Sequence, residues 1–308
     1  MSSQQLQLAR PLKHLLFLGY RLLRKTSFVK AILSQVPEDA WREYLIRDFI
    51  YGDYGAAYGI SAQTKRDLVR QFERTLTVVP SGTSLLVHLT LARALLSVPP
   101  DLKGDVIECG VWKGASSCSL SLLCQLTGRR LLVCDSFDGL PDTGLELYDT
   151  PHLGVYGYLT GGMFRGRFDE VSSNIKQFGA IEVCDFVPGF FKDSLQNLKR
   201  PLVFAFLDVD RYSSTQECLQ AIWPNLQEGS YLFSDDAAHM RIAGLFFDQQ
   251  WWQSNLACPA PGLYGAGSGL PLWPTGSSIG YTRKLSRFNP NELRRVSYLY
   301  YPEHEPMH

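Results

Sequence analysis

The sequence predicts a doubly wound α/β fold with a mostly parallel sheet, preceded by a helical N-terminal extension. Short apolar runs bounded by turn residues alternate with helical segments from about residue 104 to 285. A glycine turn follows the first apolar run, and the second run ends in an acid. Alternating strands and helices are typical of a parallel sheet with right-handed crossovers. Ligands of such sheets bind at the carboxyl ends of the strands.

The predicted elements follow the chain in a regular order. Strands are expected at 105–109, 130–134, 181–187, 201–207, 229–234 and 279–285. Helices are expected between them at 115–126, 168–178, 190–198, 213–226 and 240–252, and long loops at 139–166 and 259–278. Upstream, residues 1–48, 64–75 and 83–97 have helical patterns. We therefore predict a helical extension over 1–100, acting as lid and interface, and an α/β domain over 101–308.

The composition excludes several classes of protein. Lys+Arg and Asp+Glu are equal at 30 each, so the balance of charge gives no reason to expect a nucleic-acid partner. The seven cysteines are scattered without a CxxC pair and are odd in number, which favours a reduced, cytoplasmic protein that uses them as small core residues. The lack of an apolar run of 18 residues predicts no membrane span.

The basic, apolar segment 12–25, LKHLLFLGYRLLRK, has two interpretations. It lies on a membrane surface, or it is a helix that packs on the core or on another subunit. The N-terminal helices and the aromatic tail at 298–304 would suit a subunit interface. We therefore expect a homo-oligomer.

The glycine turn after the first strand carries the strongest signal. Glu108 ends the strand region, and Gly110 and Gly114 follow in an E-x-G-x-x-x-G pattern. This differs from the G-x-G-x-x-G of dinucleotide sites, and no phosphate-cradling G-x-x-x-x-G-K-[ST] occurs. An acid beside the turn would repel a pyrophosphate but would suit a sulfonium or ammonium group. The pattern favours S-adenosylmethionine over NAD or ATP; the alternative is a tight turn without a ligand.

Four acids follow two neighbouring strands. Asp208 and Asp210 come after strand 201–207, and Asp235 and Asp236 come after strand 229–234. If the strands are parallel, these carboxylates meet at one edge of the sheet, where a bound cation relieves their repulsion. Hard oxygen ligands without Cys or His favour Mg²⁺ over Zn²⁺, with Ca²⁺ or Mn²⁺ also compatible.

Helix capping is the alternative role for these acids. Asp236 is suitably placed to cap the helix predicted at 240. For Asp210 that role is less needed, because Ser214 and Glu217 have the spacing of a capping box. His239, one turn beyond the acids, either contacts the substrate or is a polar residue at a helix start.

Five segments together resemble the macrocin O-methyltransferase family, which includes mycinamicin and noviose sugar O-methyltransferases. The resemblance covers about 60–285 and rests on the order and spacing of VIECGVWKGASS, LLVCDSFDGLPD, VPGFFKDSL, FLDVDRYSST and YLFSDDA. It implies a class I, Rossmann-like methyltransferase fold. It also implies that S-adenosylmethionine and Mg²⁺ are used to methylate a hydroxyl, typically on a sugar of a natural product.

The resemblance also implies roles for individual residues. The cofactor would be bound at its methionine end by Glu108, Gly110 and Gly114, at its ribose by Asp135, and elsewhere by Trp112, Ser136, Phe137 and either Asp185 with Phe186 or Gly189 with Phe190. The metal would be held by Asp208, Asp235 and Asp236, and Asp210 would be the general base. Relatives usually have an apolar residue at Arg211, which therefore either alters substrate recognition or lies on a solvated face.

The chemistry predicts an acceptor with adjacent hydroxyls, a sugar or a catechol-like ring, because two hydroxyls chelate a metal and select the attacking oxygen. Tyr51, Tyr54 and Tyr58 either form a lid that excludes water or pack among the N-terminal helices. Two other functions remain open from the residues alone. These are a metal-dependent hydrolase that uses the aspartates and a non-catalytic nucleoside-binding scaffold.

Overall fold

The computed structural model describes residues 38–150, 155–265 and 279–285, with side chains placed for 42–147, 157–265 and 279–285. The chain divides into two compact units, Met1–Asp48 and Phe49–His308. The predictions for segment 12–25 and for the tail at 298–304 lie outside the described residues, as does most of the loop predicted at 259–278. The predicted boundary near residue 100 stays a prediction.

Eight strands are described, six of them in one sheet. They are β1 (Asp105–Cys109), β2 (Leu131–Asp135), β3 (Glu146–Thr150), β4 (Val155–Leu159), β5 (Cys184–Pro188), β6 (Leu202–Leu207), β7 (Leu226–Ser234) and β8 (Gly280–Arg283). The sheet order is β5-β2-β1-β6-β7-β8, and only the β7–β8 pairing in it is antiparallel. Strands β3 and β4 form a separate antiparallel pair, called the hairpin below.

Nine α-helices are described, three before β1 and six between later strands. They are α1 (Glu38–Tyr51), α2 (Ala62–Val78), α3 (Leu85–Leu96), α4 (Ala115–Thr127), α5 (Phe168–Phe178), α6 (Phe191–Ser194), α7 (Tyr212–Ile222), α8 (Met240–Leu245) and α9 (Gln249–Leu256). Among the described residues, no helix is long and apolar enough to cross a membrane. Helices α2 and α3 pack against α4 in the same compact unit as the sheet.

The central strands form because their side chains are apolar on both faces. All six residues of β6, LVFAFL, are buried, and β2 is buried throughout. Such strands require a covering layer of helices on each side, as in doubly wound sheets. The core includes Ile107 of β1, Leu207 of β6 and Trp252 of α9. The predicted fold class is therefore confirmed.

The order of the strands reverses between β1 and β6. From β1 the chain proceeds outward through β2 and β5, then returns to the other side of β1 with β6. At such a switch point the connections leave in opposite directions and open a crevice at the carboxyl ends of the strands. The sequence that follows β1 and the sequence that follows β6 therefore meet at this crevice.

Two predicted elements are wrong, one in its type and one in the number of helices. The loop predicted at 139–166 contains the hairpin, and the single helix predicted at 240–252 is two helices, α8 and α9. After α8, the N–H groups of Phe247 and Asp248 donate to carbonyls three residues earlier, which ends the α-helical pattern. The Asp248 side chain then accepts the N–H of Trp251 and so caps α9. A local side-chain cap has replaced continuous helix here.

Several boundaries also differ from prediction. Residues 181–183 form a 3-10 turn, so β5 begins at Cys184. Helix α7 ends at Ile222, where a 3-10 turn containing Pro224 follows, because proline has no N–H to continue the helix. Strand β7 begins at Leu226 rather than at 229.

Candidate active site

The turn after β1 is held against the turn after β6. The N–H of Asp208 donates to the carbonyl of Cys109, 2.9 Å, and the N–H of Gly110 donates to the carbonyl of Cys134, 3.0 Å. Gly110 has φ +80°, and a Cβ there would lie 1.8 Å from the carbonyl oxygen of Asp208. Only glycine permits this approach of the two backbones.

A cavity of about 270 Å³ opens at this junction. Eight of the residues singled out from the sequence line it: Gly110, Trp112, Asp135, Ser136, Asp208, Asp210, Asp235 and Asp236. They come from the ends of β1, β2, β6 and β7, as the topology requires. The structure therefore brings the glycine turn, the acid after β2 and the two aspartate doublets into one site.

Asp135 at the end of β2 is held by backbone donors. Its Oδ2 accepts the N–H of Val111, 2.7 Å, and its Oδ1 accepts the N–H of Phe137, 2.7 Å. Burial raises the pKa of this carboxyl, and the backbone donors oppose that rise. The hydroxyl of Ser136 also lies 3.5 Å from Oδ1, and Asp135 itself lines the cavity.

Phe137 and Gly189 support Asp135 from outside the cavity. Phe137 has φ +56° and is buried, with its ring 5.2 Å from Phe168 and 6.3 Å from Phe186. The N–H of Gly189 donates to the carbonyl of Asp135, 2.9 Å. Neither residue lines the cavity. Their observed role is to orient the loop after β2.

Glu108 is fully buried within β1 and does not line the cavity. Its Oε2 accepts the hydroxyl of Ser117, 2.5 Å, whereas no described group hydrogen-bonds to Oε1. Burial raises the pKa of Glu108 to about 7. Gly114 also lies outside the cavity lining; with φ +84° it starts α4, whose first turns carry Ser117.

Three aspartates form a compact oxygen-rich cluster, called the aspartate triad below. One carboxylate oxygen from each of Asp208, Asp210 and Asp236 lies within 4.8 Å of the others. Asp236 Oδ2 accepts the N–H groups of Val209, 3.1 Å, and Asp210, 2.9 Å. Asp236 thus joins the β6 and β7 turns instead of capping the helix that begins at Met240.

The electrostatics of the triad suit a cation. Loss of hydration raises the pKa of Asp208 well above its ordinary value, and the charges of Asp235, Asp236 and Asp210 add to the rise. Burial raises the pKa of Asp236 to about 6. Hard oxygen donors that repel one another are the donor set of a Mg²⁺ or Ca²⁺ site. Asp235 lines the cavity beside the triad but is not one of its three members.

Asp210 has an unusual backbone for a non-glycine residue. Its φ is +60°, in the left-handed region, where aspartate is tolerated better than most side chains. Its carboxyl lines the cavity, and burial followed by the charges of Asp236 and Asp235 raises its pKa well above the ordinary value. The turn therefore directs an acid of high proton affinity into the site.

Asp185 lies away from the cavity. It is the second residue of β5, toward the amino ends of the strands, where it forms ion pairs with Arg130 and Arg200. Hydrogen bonding to Arg130, and then to Arg200, lowers the pKa of Asp185 to about 2. The structure therefore does not bring Asp185 to the cavity, because both arginines hold its carboxylate toward the amino ends of the strands.

The predicted substrate residues also lie outside the cavity lining. Tyr54 accepts a hydrogen bond from Arg93, 2.7 Å, whose guanidinium stands 4.9 Å from the tyrosine ring, and Tyr51 is 68 % exposed. His239 is buried, and its Nε2 donates to the carbonyl of Leu147, 3.1 Å. The structure therefore holds Tyr54 against Arg93 and His239 against Leu147, and it brings neither residue to the cavity lining.

Other cavity residues were missed or misjudged from the sequence. They are Gly82, Gly139, Leu140, Pro141, Phe164, Phe191, Val209, Ser214 and Glu217, whereas Phe190, one of the residues offered for the adenine contact, lines the cavity as well. The capping box expected for Ser214 and Glu217 is wrong, because α7 begins two residues before Ser214 and has no side-chain cap. The spacing of Ser214 and Glu217, three residues apart, could have indicated that both line the cavity, since it places their side chains on one helix face.

Comparison with known proteins gives a family match. The profile described as macrocin-O-methyltransferase (TylF) matches residues 80–257, more than half of the chain. The solved structure of the O-methyltransferase NovP superposes with a TM-score of 0.55 at 18% identity and covers 71% of this chain and 97% of that one. At this identity the superposition supports the fold.

Two relatives are similar over a shorter stretch. The 8-demethyl-8-(2,3-dimethoxy-alpha-L-rhamnosyl)-tetracenomycin-C 4'-O-methyltransferase of Streptomyces olivaceus is 31% identical over 141 residues, 44% of this chain and 53% of that protein. The mycinamicin III 3''-O-methyltransferase of Micromonospora griseorubida is 27% identical over 143 residues, 43% of this chain and 55% of that protein. The chain thus spans about half the length of the relatives it matches.

Proposed function

Because the chain belongs to the macrocin O-methyltransferase family, we propose that it transfers the methyl group of S-adenosylmethionine to a hydroxyl of a sugar on a natural product. The observation that carries this proposal is that Asp135 and the aspartate triad share one cavity. Asp135 can accept hydrogen bonds from ribose hydroxyls, and two members of the triad, Asp208 and Asp236, together with Asp235 offer hard ligands for a divalent cation. Such a cavity can hold a methyl donor beside a metal-bound acceptor.

The residues around the β1 turn fit the cofactor. Gly110 keeps the backbone free of a Cβ where the turns after β1 and β6 meet, and Trp112 and Ser136 line the cavity beside Asp135. Glu108 lies buried behind the turn, and its carboxylate, when ionised, places negative charge there that favours a cationic ligand over a pyrophosphate. S-adenosylmethionine, when bound, supplies an electrophilic methyl group and leaves as S-adenosylhomocysteine.

The aspartates fit Mg²⁺, and we assign Asp208, Asp235 and Asp236 as its ligands. Mg²⁺, when bound, lowers the proton affinity of a coordinated hydroxyl. Asp210 accepts the proton of the attacking hydroxyl, since its carboxyl lines the cavity next to Asp208 and Asp236. The backbone bonds of Val209 and Asp210 to Asp236 keep the proposed base and a proposed ligand in fixed relation.

The acceptor class is proposed from the chemistry and the relatives together. Two adjacent hydroxyls can chelate one cation and so determine which oxygen attacks. The names of two relatives specify methylation at the 4' position of a rhamnosyl tetracenomycin and the 3'' position of mycinamicin III. We therefore favour a sugar diol over a catechol-like ring for this chain.

The competing functions receive less support. A metal-dependent hydrolase commonly adds a histidine or another base to its acids, and no histidine or cysteine is among the described residues that line the cavity. A non-catalytic scaffold would retain four acids in one cavity at a cost in folding free energy. Neither alternative accounts for the match to the macrocin O-methyltransferase family.

Calorimetric titration with S-adenosylhomocysteine, with and without Mg²⁺, tests the cofactor assignment. We expect saturable binding that Asp135→Ala weakens, because ribose hydroxyls lose their acceptor. Asp169→Ala, at an exposed position beside Arg167, is the control and should bind as the wild type does. The absence of binding in either buffer would remove the methyltransferase proposal and leave the hydrolase.

The acceptor class needs a separate assay. Mass spectrometry after incubation with S-adenosylmethionine and Mg²⁺ would compare p-nitrophenyl α-L-rhamnopyranoside, p-nitrophenyl β-D-glucopyranoside and catechol. We expect methylation of a sugar. Methylation of catechol alone would contradict the sugar assignment while retaining the reaction type.

A further inference from the structure

Arg211 is a fully buried arginine that directly follows Asp210. Its Nη1 donates to Thr143 Oγ1, 2.9 Å, and both terminal nitrogens approach the carbonyl of Gly144, 3.3 and 3.2 Å. Nη2 also donates to the carbonyl of Leu159, 3.2 Å. One guanidinium thus binds the chain before β3 and the last residue of β4, so it joins both ends of the hairpin. A solvated-face role for Arg211 is excluded.

Glu146, the first residue of β3, completes the contact. Its Oε2 lies 3.5 Å from Arg211 Nη1, and its Oε1 accepts the N–H of Tyr212, 2.9 Å. The Glu146 side chain is only 11% exposed, so both charges are largely removed from water. We call Arg211 and Glu146 the hairpin clamp.

The turn after β7 holds the same strand of the hairpin. His239 Nε2 donates to the carbonyl of Leu147, and Arg241 Nη1 lies 3.9 Å from Glu146 Oε1. The first strand of the hairpin is therefore tied to the sequences that follow both aspartate doublets.

The hairpin belongs to a segment whose two ends line the cavity. Gly139, Leu140 and Pro141 line it before β3, and Phe164 lines it after β4. A displacement of the hairpin would therefore be transmitted to residues at the cavity wall. The clamp connects this wall to the backbone of Asp210, which lies next to Arg211 in the chain.

We propose that Arg211 and Glu146 are positioning residues for the acceptor: by clamping the hairpin to the turn after β6, they set the cavity wall against which the acceptor sugar is held. This proposal rests on the proposed function. Neither residue lines the cavity, so the clamp acts through Asp210 and through the segment 139–166. The methyl donor contacts proposed at Asp135 and Gly110 involve neither residue.

The clamp can be opened in two ways that differ in chemistry. Arg211→Met removes all the donors and leaves the Glu146 carboxylate in a poorly hydrated site. Glu146→Gln keeps an oxygen that can accept the N–H of Tyr212 but removes the charge opposite Arg211. In the double variant Arg211→Met with Glu146→Leu, both charges of the clamp are removed together, so folding stability should recover relative to Arg211→Met.

Arg129 provides a matched control. It is also a buried arginine that donates to carbonyls, those of Leu102, Gly104 and Pro99, but it lies before β2 at the amino ends of the strands. Arg129→Met therefore reports what the loss of a buried arginine does to stability alone.

Hydrogen exchange of the hairpin amides and steady-state kinetics test the proposal together. We expect Arg211→Met to speed amide exchange in β3 and β4 by on the order of tenfold or more. Without the clamp, the hairpin can open while the rest of the protein stays folded. The acceptor KM for p-nitrophenyl α-L-rhamnopyranoside should rise by about tenfold, while S-adenosylhomocysteine affinity changes by less than about threefold. Glu146→Gln should also raise the hairpin exchange rate and the acceptor KM, but by smaller factors. The double variant should be more stable than Arg211→Met, whereas its acceptor KM should stay raised.

Three results would overturn the clamp. They are unchanged hairpin exchange in Arg211→Met, faster exchange with an unchanged acceptor KM, or an equal rise in acceptor KM in Arg129→Met. If Arg211→Met does not fold, Glu146→Gln and the double variant provide the same measurements. Wild-type protein that binds S-adenosylhomocysteine but methylates no sugar would refute the proposed function, and the hairpin exchange of the variants would still decide whether the clamp exists.

Discussion

Asp210 combines a left-handed backbone, an acidic side chain in the cavity and a buried arginine as its next residue. The left-handed turn costs conformational energy that a glycine would not incur. The presence of aspartate rather than glycine at this position is explained if the carboxyl has a function. The proposed use is to accept the proton of the acceptor hydroxyl.

Asp210→Asn should lower kcat by about 10²- to 10⁴-fold, the range that a positioned general base contributes. S-adenosylhomocysteine affinity and Mg²⁺ affinity should be retained, because Asp208, Asp235 and Asp236 remain. Calorimetry and kinetics on the same preparation check both. A variant that loses Mg²⁺ binding would instead make Asp210 a metal ligand.

Glu108 gives a prediction about pH. Its pKa is raised from an ordinary 4.5 to about 7 in the folded protein, so between these values the folded state holds a proton that the unfolded state releases. Stability therefore falls as pH rises through this window, by about 3 kcal/mol at most for this residue. Glu108→Gln should raise the thermal midpoint above pH 7 and change it little below pH 4.5.

Thermal unfolding from pH 4 to 8 checks the Glu108 prediction. Glu43→Gln, at an exposed position of α1, is the control for the same substitution away from the site. Glu108→Gln should also weaken S-adenosylhomocysteine binding if the buried charge favours the cofactor. A variant that is destabilised at pH 8 would show that the carboxylate stabilises the folded protein there, contrary to the expected effect of its burial.

The individual site residues were predictable where strand ends determine them. Asp135, Asp208, Asp235 and Asp236 lie at or directly after the ends of apolar strands, and parallel pairing brings such positions to one edge. Asp185 and His239 could not be assigned locally, because their partners Arg130, Arg200 and Leu147 are distant in sequence.

At the scale of elements, the junction of β1 with β6 leaves no room for a side chain at Gly110. Gly110→Ala would place a Cβ 1.8 Å from the carbonyl oxygen of Asp208 at a positive φ. We expect a loss of several kcal/mol of unfolding free energy and of cofactor binding, since backbone on both sides must shift. Urea unfolding and calorimetry measure the two effects.

Gly244→Ala is the matched control for Gly110→Ala. Gly244 lies within α8, and a Cβ there meets nothing within 4 Å. Because alanine favours helix over glycine, this variant should be as stable as the wild type or up to about 1 kcal/mol more stable. Equal effects of the two substitutions would contradict the close approach of the turns.

Strands and helices were predicted best where the local pattern of apolar residues is enough to determine them. The buried strands β1, β2 and β6 and the helices α4 and α5 have nearly their predicted bounds. The hairpin was missed because its strands are only five residues each, and because it is held by Arg211 and Tyr212, which lie far along the chain. Local patterns do not report such tertiary support.

At the scale of the whole molecule, acids with raised pKa values make the metal-free protein sensitive to pH. Mg²⁺ and protons compete for the same carboxylates. We expect 5 mM Mg²⁺, on the order of 100 times a mid-micromolar Kd, to raise the thermal midpoint at pH 7.5 as binding adds about 2.7 kcal/mol. At pH 5 the shift should be much smaller.

Differential scanning fluorimetry with a chelator-treated sample checks the metal prediction. Asp208→Asn should abolish the Mg²⁺-dependent shift at pH 7.5 and stabilise the metal-free protein, since one repelling charge is removed. An identical Mg²⁺ shift in this variant would place the cation elsewhere.

The family predicted from the sequence is confirmed by the profile match over residues 80–257, and the fold class is confirmed by the described sheet. Both depend on the order of several motifs, which survives divergence better than any single contact. The proposed wall for the acceptor is formed by Gly139, Leu140, Pro141 and Phe164, which lie outside the strands. The domain boundary, the oligomeric state and the site assignments stay predictions.

Methyl transfer from trideuteromethyl-labelled S-adenosylmethionine to p-nitrophenyl α-L-rhamnopyranoside tests the proposed reaction and its metal in one experiment. Mass spectrometry would follow the reaction with Mg²⁺, with EDTA, and with EDTA followed by excess Mg²⁺. We expect a labelled methyl group on the sugar with Mg²⁺, its loss in EDTA and its return with excess Mg²⁺. Undiminished transfer in EDTA would contradict the role of the aspartates as metal ligands. No transfer to any sugar diol would contradict the proposed reaction.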